Sequence, residues 1–306
     1  MTAAVTCVVV TYNSSSVIGQ CLDGLAPAHA DGLVKVVVVD NASKDGTAQQ
    51  IRVSHPWVRV IESGGNIGFG RGCNLGLKEA DTPYGLLLNP DALLPEDALK
   101  LLVAFMDAHP KAMAAAPATW VYGDSQLQNA GGLPSPLEIL KVAAGVSSHV
   151  RGTSPINPGQ APFRTDWLGG GIMLLRMQHF RQLGGFDPAF FLYFEETDLC
   201  RRAVDAGYEL WAVGEAVARH IGGTAAKASG EPLIYGASLA DPFFRSRFYY
   251  LAKHFGWPLA AFTDVAEIAI LALKSAAKTL TGRDPGGALS ERLGGPIMRR
   301  PIFPGS

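Results

Sequence analysis

Four short apolar runs, at 5–10, 34–39, 58–61 and 85–88, are each followed by polar residues and separated by stretches of helical periodicity. That alternation constrains the fold more than any other feature of the chain. Aliphatic runs of this length joined by amphipathic segments predict βαβ units, hence an α/β protein with a mainly parallel Rossmann-like sheet flanked by helices. After the first run, Val17, Ile18, Cys21, Leu22 and Leu25 recur at helical spacing behind Ser14, Ser15 and Ser16, which are expected to cap the helix. Phe69, Cys73 and Leu77 recur at i, i+4, i+8. Pro95, Glu96 and Asp97 open another helix that runs through Met106, with acids in the first turn as the helix dipole favours.

Further along, residues 123–165 are rich in Gly, Ser and Pro, with one helical stretch at 137–142, and read as a mobile excursion. A strand at 172–175, a helix at 177–183, a Gly184-Gly185 break, a helix at 198–206 and a strand at 209–213 are then expected. From Pro242 onward the chain reads as helical, with Pro258 restarting the helix and a Pro/Gly-rich tail from Asp284.

Lys plus Arg number 26 against 27 for Asp plus Glu, and only 17% of residues are charged. Such a balance excludes a nucleic-acid binder driven by bulk charge, and it excludes a disordered chain. The four cysteines (Cys7, Cys21, Cys73, Cys200) are far apart with no C-x-x-C pair, which points to a reducing, cytoplasmic setting rather than a disulfide framework or zinc knuckle. The first residues lack a basic n-region and read as a strand rather than a signal peptide. Residues 257–273 are apolar but include Asp264 and Glu267, short of the ~18 uncharged apolar residues of a spanning helix. The glycines of 64–76 miss the G-x-G-x-x-G spacing, and no Walker loop, H-E-x-x-H or G-x-S-x-G occurs.

Polar residues remain at the carboxyl ends of three runs: Thr11-Tyr12-Asn13, Asp40-Asn41-Ala42-Ser43 and Asn89-Pro90-Asp91. Each alone reads as an N-cap or turn, but three in succession mark the place where open α/β sheets bind ligands. A carboxylate at Asp40 suits the N3–H of uracil or thymine, a proton that cytosine lacks.

These motifs, with Asn66-Ile67-Gly68-Phe69-Gly70, with Gly184-Gly185-Phe186-Asp187, with Phe191-Leu192-Tyr193-Phe194-Glu195-Glu196-Thr197-Asp198 and with His220-Ile221-Gly222-Gly223-Thr224, resemble family 2 glycosyltransferases of the GT-A fold. The bacterial rhamnosyltransferase-like branch is the nearest resemblance, in preserved order over about residues 5–225. It implies an inverting, metal-dependent transfer of a sugar such as rhamnose from a dTDP- or UDP-sugar to a glycan or lipid-linked acceptor. It implies three segments: 1–92 for the nucleotide sugar, 93–225 for acceptor and catalysis, and a helical extension at 226–306. Thr11, Tyr12, Asn13, Asp40, Asn66, Gly68, Arg71 and Asn89 are assigned to the donor, with a solvated surface arginine as the other reading of Arg71. Asp91 and His220 are assigned to Mg²⁺ or Mn²⁺, Asn89 standing where the family's Asp-x-Asp motif has its first acid; a packed histidine is the other reading of His220.

Transfer also needs a base for the acceptor hydroxyl. Glu195, Glu196 and Asp198 lie among aromatics, where crowded like charges raise a carboxylate pKa. The resemblance makes Glu196 the base, with Glu195 as the other candidate because Glu stands where many members have Asp, while Asp198 also suits a plain dipole-satisfying role at a helix start. Trp167, Gly169, Gly170 and Tyr193 are assigned to the acceptor. The aromatic and basic cluster 243–250 reads as an interfacial helix, with core packing as the other reading, and peripheral membrane contact is expected through 243–281, with Arg245, Arg247, Lys253, Lys274 and Lys278 toward an anionic surface. A sugar-nucleotide-binding protein without turnover and a Rossmann-like oxidoreductase are the alternatives.

Overall fold

β1 (Val5–Thr11) and β2 (Val34–Asp40) pair in parallel, with Val5 opposite Val34 and Thr11 opposite Asp40. All seven residues of β1 are buried, as a central parallel strand covered on both faces requires. β3 (Arg59–Glu62) joins β2 and β4 (Tyr84–Leu88) joins β1, both in parallel. The computed structural model describes residues 3–121, 129–147, 154–220, 237–284 and 286–295.

Beyond β4 the sheet becomes mixed. β11 (Ile172–Arg176) lies antiparallel between β4 and β6 (Ala112–Val121), and β12 (Glu209–His220) runs parallel to β6. β5 (Ala92–Leu93) closes the order β3-β2-β1-β4-β11-β6-β12-β5, and β9 (Phe163–Thr165) pairs with β12. The 209–213 run thus continues to His220, with a register shift between Val213 and Val217 that carries the strand past Gly214. This length lets His220 pair with Ala92.

Alternate β1 side chains serve two cores, as the period of a strand dictates. Val5, Cys7 and Val9 face α1 (Ile18–Ala30), α2 (Thr47–Ser54) and α4 (Glu96–Ala108). Val8 and Val10 face α3 (Phe69–Lys78), α6 (Met177–Gln182) and α7 (Glu195–Asp205). A methyl group on Gly72 would sit 2.9 Å from Val10, so glycine there lets α3 lie directly against β1. The serine cap does not form: no side chain caps α1, and the Ser14 carbonyl accepts from Val17 and Ile18 instead. The Ser14 N–H is drawn away to Thr47 Oγ1.

The glycine-rich excursion carries regular structure in its described parts. β7 (Asn129–Gly131) pairs with β8 (Ser154–Pro155) and with β10 (Trp167–Leu168). α5 (Pro136–Ala144) is capped by Ser135 Oγ, which accepts from Glu138 N–H, and stops at Gly145 in the left-handed region. Segments 122–128 and 148–153 of that excursion lie outside the described residues.

α8 (Ala237–Phe255), α9 (Trp257–Leu280) and α10 (Ala288–Gly294) make the helical flank, α10 falling inside the stretch expected to be tail. A third core joins them to the acidic segment through Ile139, Phe190, Phe194, Phe248, Tyr250 and Leu251. The interfacial reading of 243–250 is overturned here. Phe244, Phe248 and Tyr250 are buried, and Arg247 is committed to Glu267 and to Asp264 at 3.4 Å. Arg292 of α10 reaches the same two acids at 2.7 and 2.8 Å, closing a buried quartet of two cations and two anions. Arg245 pairs with Asp241, and Lys253 with Asp187 and Asp198. No helix among the described residues is long and apolar enough to cross a membrane.

Candidate active site

Parallel register brings the ends of β1 and β2 level, and the first part of the site follows from that. Thr11 Oγ1 donates to Asp40 Oδ1 at 3.0 Å, and Ser43 N–H donates to Asp40 Oδ2 at 3.0 Å. A carboxylate offers about four lone-pair sites, so two remain. The loops beyond are fastened together: Asn13 N–H donates to Ser43 Oγ, Asn13 Oδ1 accepts from Lys44 N–H, and Ser15 N–H donates to Asp45. Asn13 and Ala42 hold positive φ (51° and 62°), an uncommon conformation that this cross-bonding maintains. Tyr12 is exposed beside them. Asn66 is exposed on the next loop, where its Oδ1 accepts from Gly68 N–H at 3.3 Å. Gly68 (φ +86°) accepts from Asn41 Nδ2, and the neighbouring Phe69 N–H donates to the Phe191 carbonyl at 3.0 Å. A methyl group on Gly68 would strike that same carbonyl. The glycine loop therefore docks on the segment that precedes α7.

A second group forms where β12 pairs with β5. His220 Nε2 lies 2.8 Å from Asp91 Oδ1 and 3.4 Å from Asn89 Nδ2, although 129 residues separate His220 from Asp91. Asp91 is buried and His220 half-buried. Among the described residues no three His, Cys, Asp or Glu side chains converge, so this pair offers at most two ligands. One carboxylate and one imidazole fit a divalent ion whose remaining ligands come from substrate phosphates and water. Residues 221–224 of the His-x-x-Gly motif lie outside the described residues.

The glycines at 169–171 join this pair to the carboxylates. Asn89 N–H donates to the Gly171 carbonyl at 2.8 Å, and a methyl group on Gly171 would lie 3.2 Å from Asn89 Nδ2. A methyl on Gly170 would lie 3.3 Å from Glu196 Cβ. α7 begins at Glu195, three residues earlier than expected, because Tyr193 and Phe194 (φ 66° and 67°) turn the chain directly into it. Both glutamates thus fall in the first turn but point apart. Glu195 is buried against Gly70, and its charge is felt by the Cys73 thiol, whose pKa burial already pushes up. Glu196 is half-buried, beside Gly170, with its Oε1 accepting from Thr197 Oγ1 at 3.1 Å.

Three assigned residues take other places. Trp167 is buried, and its Nε1 donates to Thr197 Oγ1 at 3.1 Å, so it braces α7 instead of presenting its ring to an acceptor. Arg71 Nε donates to the Pro188 carbonyl at 2.7 Å, bracing the turn before α7. Asp198 is fully buried with Arg202 on one oxygen and Lys253 and His254 on the other. Burial alone would raise its pKa, but the His254 hydrogen bond, the Arg202 charge and Lys253 outweigh it and hold the carboxyl at about 2. It is an anion at neutral pH, with no face open to substrate. A cleft of about 690 Å³ lies near the far end of α7, lined by Gly131, Arg164, Asp166, Val204 and Tyr208, and holds none of the motif residues. Sequence reasoning assigned nothing to Ser43, Asp45 or Asn74; Asn74 clamps Phe186 through both its amide atoms at 2.8 and 2.9 Å. The Asp45-Gly46-Thr47 turn was a usable signal for the first two, and Asn74 carried none.

The sheet order, the sites at the strand ends and the helical flank make this a GT-A fold. A mannosyltransferase from Pyrobaculum calidifontis, solved with GDP-Man and Mn²⁺, shares it at TM-score 0.56 and 18% identity, over 96% of this chain and 85% of that one. Residues 6–145 match the profile "Glycosyl transferase family 2", and residues 156–222 match "N-terminal domain of galactosyltransferase". An N-acetylglucosaminyl-diphospho-decaprenol L-rhamnosyltransferase of Mycobacterium tuberculosis is 28% identical over 68% of this chain and 73% of its own. Rhamnosyltransferase WbbL of Escherichia coli is 26% identical over 66% of this chain and 78% of its own. Residues 6–145 thus carry a family 2 glycosyltransferase domain, in a chain similar to rhamnosyltransferases.

Proposed function

We propose that this enzyme transfers a sugar, rhamnose in the first instance, from a dTDP- or UDP-sugar to a hydroxyl of a glycan or lipid-linked acceptor, with inversion. One observation carries the reading: the loop of Gly169, Gly170 and Gly171 is flanked by Glu196 on one side and on the other by Asn89, whose Nδ2 lies 3.4 Å from the His220 that meets Asp91. Asp40 accepts the pyrimidine N3–H with the capacity that Thr11 and Ser43 leave, and Tyr12 and Asn13 border the base. Asp91 and His220 would hold a divalent metal, whose remaining ligands substrate phosphates and water would supply. Bound there, the ion supplies Lewis-acid stabilisation of the charge on the departing oxygens. Glu196 takes the acceptor proton as that oxygen bonds to the anomeric carbon from the face opposite the leaving group. The bond from anomeric carbon to phosphate oxygen breaks, and the nucleoside diphosphate leaves with its electron pair.

A lipid-linked acceptor would bring the enzyme to an anionic membrane surface. With α8 turned inward, α9 is the element that supports such contact. Trp257, Phe262, Val265, Leu273 and Leu280 are exposed along it, its acids Asp264 and Glu267 are both buried, and its exposed charges are Lys274 and Lys278. Lys274 Nζ donates to the Ala143 carbonyl at 2.7 Å, so the support for lipid contact is the exposed apolar face, which carries no acid.

Incubation with a panel of sugar nucleotides and Mn²⁺, following release of the nucleoside diphosphate, tests the central reading. Turnover of a dTDP- or UDP-sugar that stops on chelation is expected. Tight binding without turnover of any donor would favour a binding protein, and turnover of purine-linked donors alone would remove the role given to Asp40.

A further inference from the structure

α8 lies beyond both matched profiles, yet it contacts the acidic segment along most of its length. Ser246 Oγ donates to the Leu192 carbonyl at 2.8 Å, and Tyr249 OH donates to Asp187 Oδ2 at 2.9 Å. Phe243 meets the rings of Tyr193 and Phe194 edge-on, and Tyr250 packs on Phe194. At the end of the helix, Lys253 Nζ lies 2.7 Å from both Asp187 Oδ2 and Asp198 Oδ1, and His254 Nε2 lies 2.8 Å from Asp198 Oδ1. One cation thus ties the turn before the aromatic segment to the helix after it.

What lies between those two anchors is the strained part of the site. Tyr193 and Phe194 both sit in the left-handed region, which costs a non-glycine residue about 1–2 kcal/mol and persists only where surroundings over-determine it. The next residues are Glu195 and Glu196. Asp198 is one turn further on, fully buried, and cannot reach a substrate.

We infer that Lys253 and His254 are positioning residues for sugar transfer, holding Asp187 and Asp198 so that the first turn of α7 presents Glu196 to the loop at Gly170. This rests on Glu196 being the base. On that footing the helical flank is part of the catalytic apparatus, although no side chain of α8 is given contact with substrate. Displacing a reacting group by about 1 Å costs on the order of 100-fold in rate, and donor binding at Asp40 and Asp91 lies outside this linkage.

The test uses the full chain and the sugar nucleotide that it turns over fastest in the panel above, with dTDP or UDP plus Mn²⁺ as the calorimetric probe. Lys253→Met is expected to lower kcat by about 10- to 100-fold while affinity for the nucleoside diphosphate stays within twofold, and Lys253→Arg is expected to restore most of the rate. His254→Gln keeps a donor toward Asp198 and should stay near wild type, whereas His254→Phe should follow Lys253→Met; this pair decides the matter if Lys253→Met does not fold. An unchanged kcat in Lys253→Met and His254→Phe overturns the inference. So does an equal loss of kcat and of nucleotide affinity, which would mark a purely structural role. Full turnover by Glu196→Gln would also remove the inference, but it would locate the fault in the choice of base, separately from these variants.

Discussion

The cradle at the ends of β1 and β2 and the acidic turn that opens α7, the two halves of the proposed site, are assembled by opposite means. In the cradle, partners lie within about one βαβ unit: Thr11 with Asp40, Asn13 with Ser43, Ser14 with Thr47. Parallel register alone brings them level. The acidic turn depends on remote chain, with Asp187 and Asp198 held by residues of α8 that follow 55 to 66 positions later. One half of the site is thus as stable as the sheet, while the other is as stable as the docking of a helix.

Substitutions should separate the two halves. The largest effect is expected from Glu196→Gln, which should lower transfer by the ~10²–10⁴-fold that a positioned base contributes while leaving nucleotide affinity intact. Glu195→Gln should cost less in turnover and more in stability, since Glu195 packs on α3. The reverse ranking in steady-state kinetics would move the base to Glu195. Asp91→Ala should act on the donor side, lowering Mn²⁺-dependent affinity for dTDP or UDP by at least the ~10–100-fold that even an outer-shell partner of a metal is worth. Calorimetry reads that directly, and unchanged affinity would remove Asp91 from the metal site.

Gly68→Ala probes the seam where the halves meet. The added methyl meets the Phe191 carbonyl, and φ of +86° is unfavourable for alanine, so a loss of about 1–3 kcal/mol is expected in urea unfolding. Acid should then discriminate further. A carboxyl whose folded pKa is depressed contributes stability above its ordinary value and loses it as pH falls through the folded one. For Asp198 that window runs from about 4 down to about 2. Near-ultraviolet circular dichroism should show the aromatic segment of 190–194 loosening in that window, and an Asp198→Asn variant should lack this component. The smallest effect concerns the membrane: Phe262→Glu should reduce sedimentation with phosphatidylglycerol vesicles at low salt, while neutral vesicles bind neither protein. Equal sedimentation of both proteins would exclude the α9 face.

The same contrast explains what could be read from sequence. β1, β2 and β4 were legible because strands covered on both faces are almost wholly apolar, the exposed Lys35 of β2 aside, and their polar ends stood out against it. Glu195 and Glu196 were legible as acids among aromatics. The start of α7 was not, since two consecutive non-glycine residues at positive φ leave no local signature. His220 was assigned from resemblance, but its meeting with Asp91 follows from a strand that continues seven residues past its expected end at Val213. Arg247 was misread because composition cannot distinguish a cation facing lipid from one whose acids, Asp264 and Glu267, lie 17 and 20 residues ahead.

Those acids also fix where the folded molecule stops tolerating loss. Asp264 and Glu267 are neutralised in the interior by two guanidinium groups, one of which, Arg292, belongs to the short helix α10. Burial raises the pKa of Glu267, and Arg247 and Arg292 more than reverse it. Trimming the chain before α10 would leave two negative charges facing one positive charge where water does not reach. Stranding a buried charge costs about 3–5 kcal/mol, a large share of what a typical domain has to spare. A stretch that reads as a loose proline- and glycine-rich end therefore contains the counter-ion of the helical flank, and any shortened version of this protein has to keep Arg292.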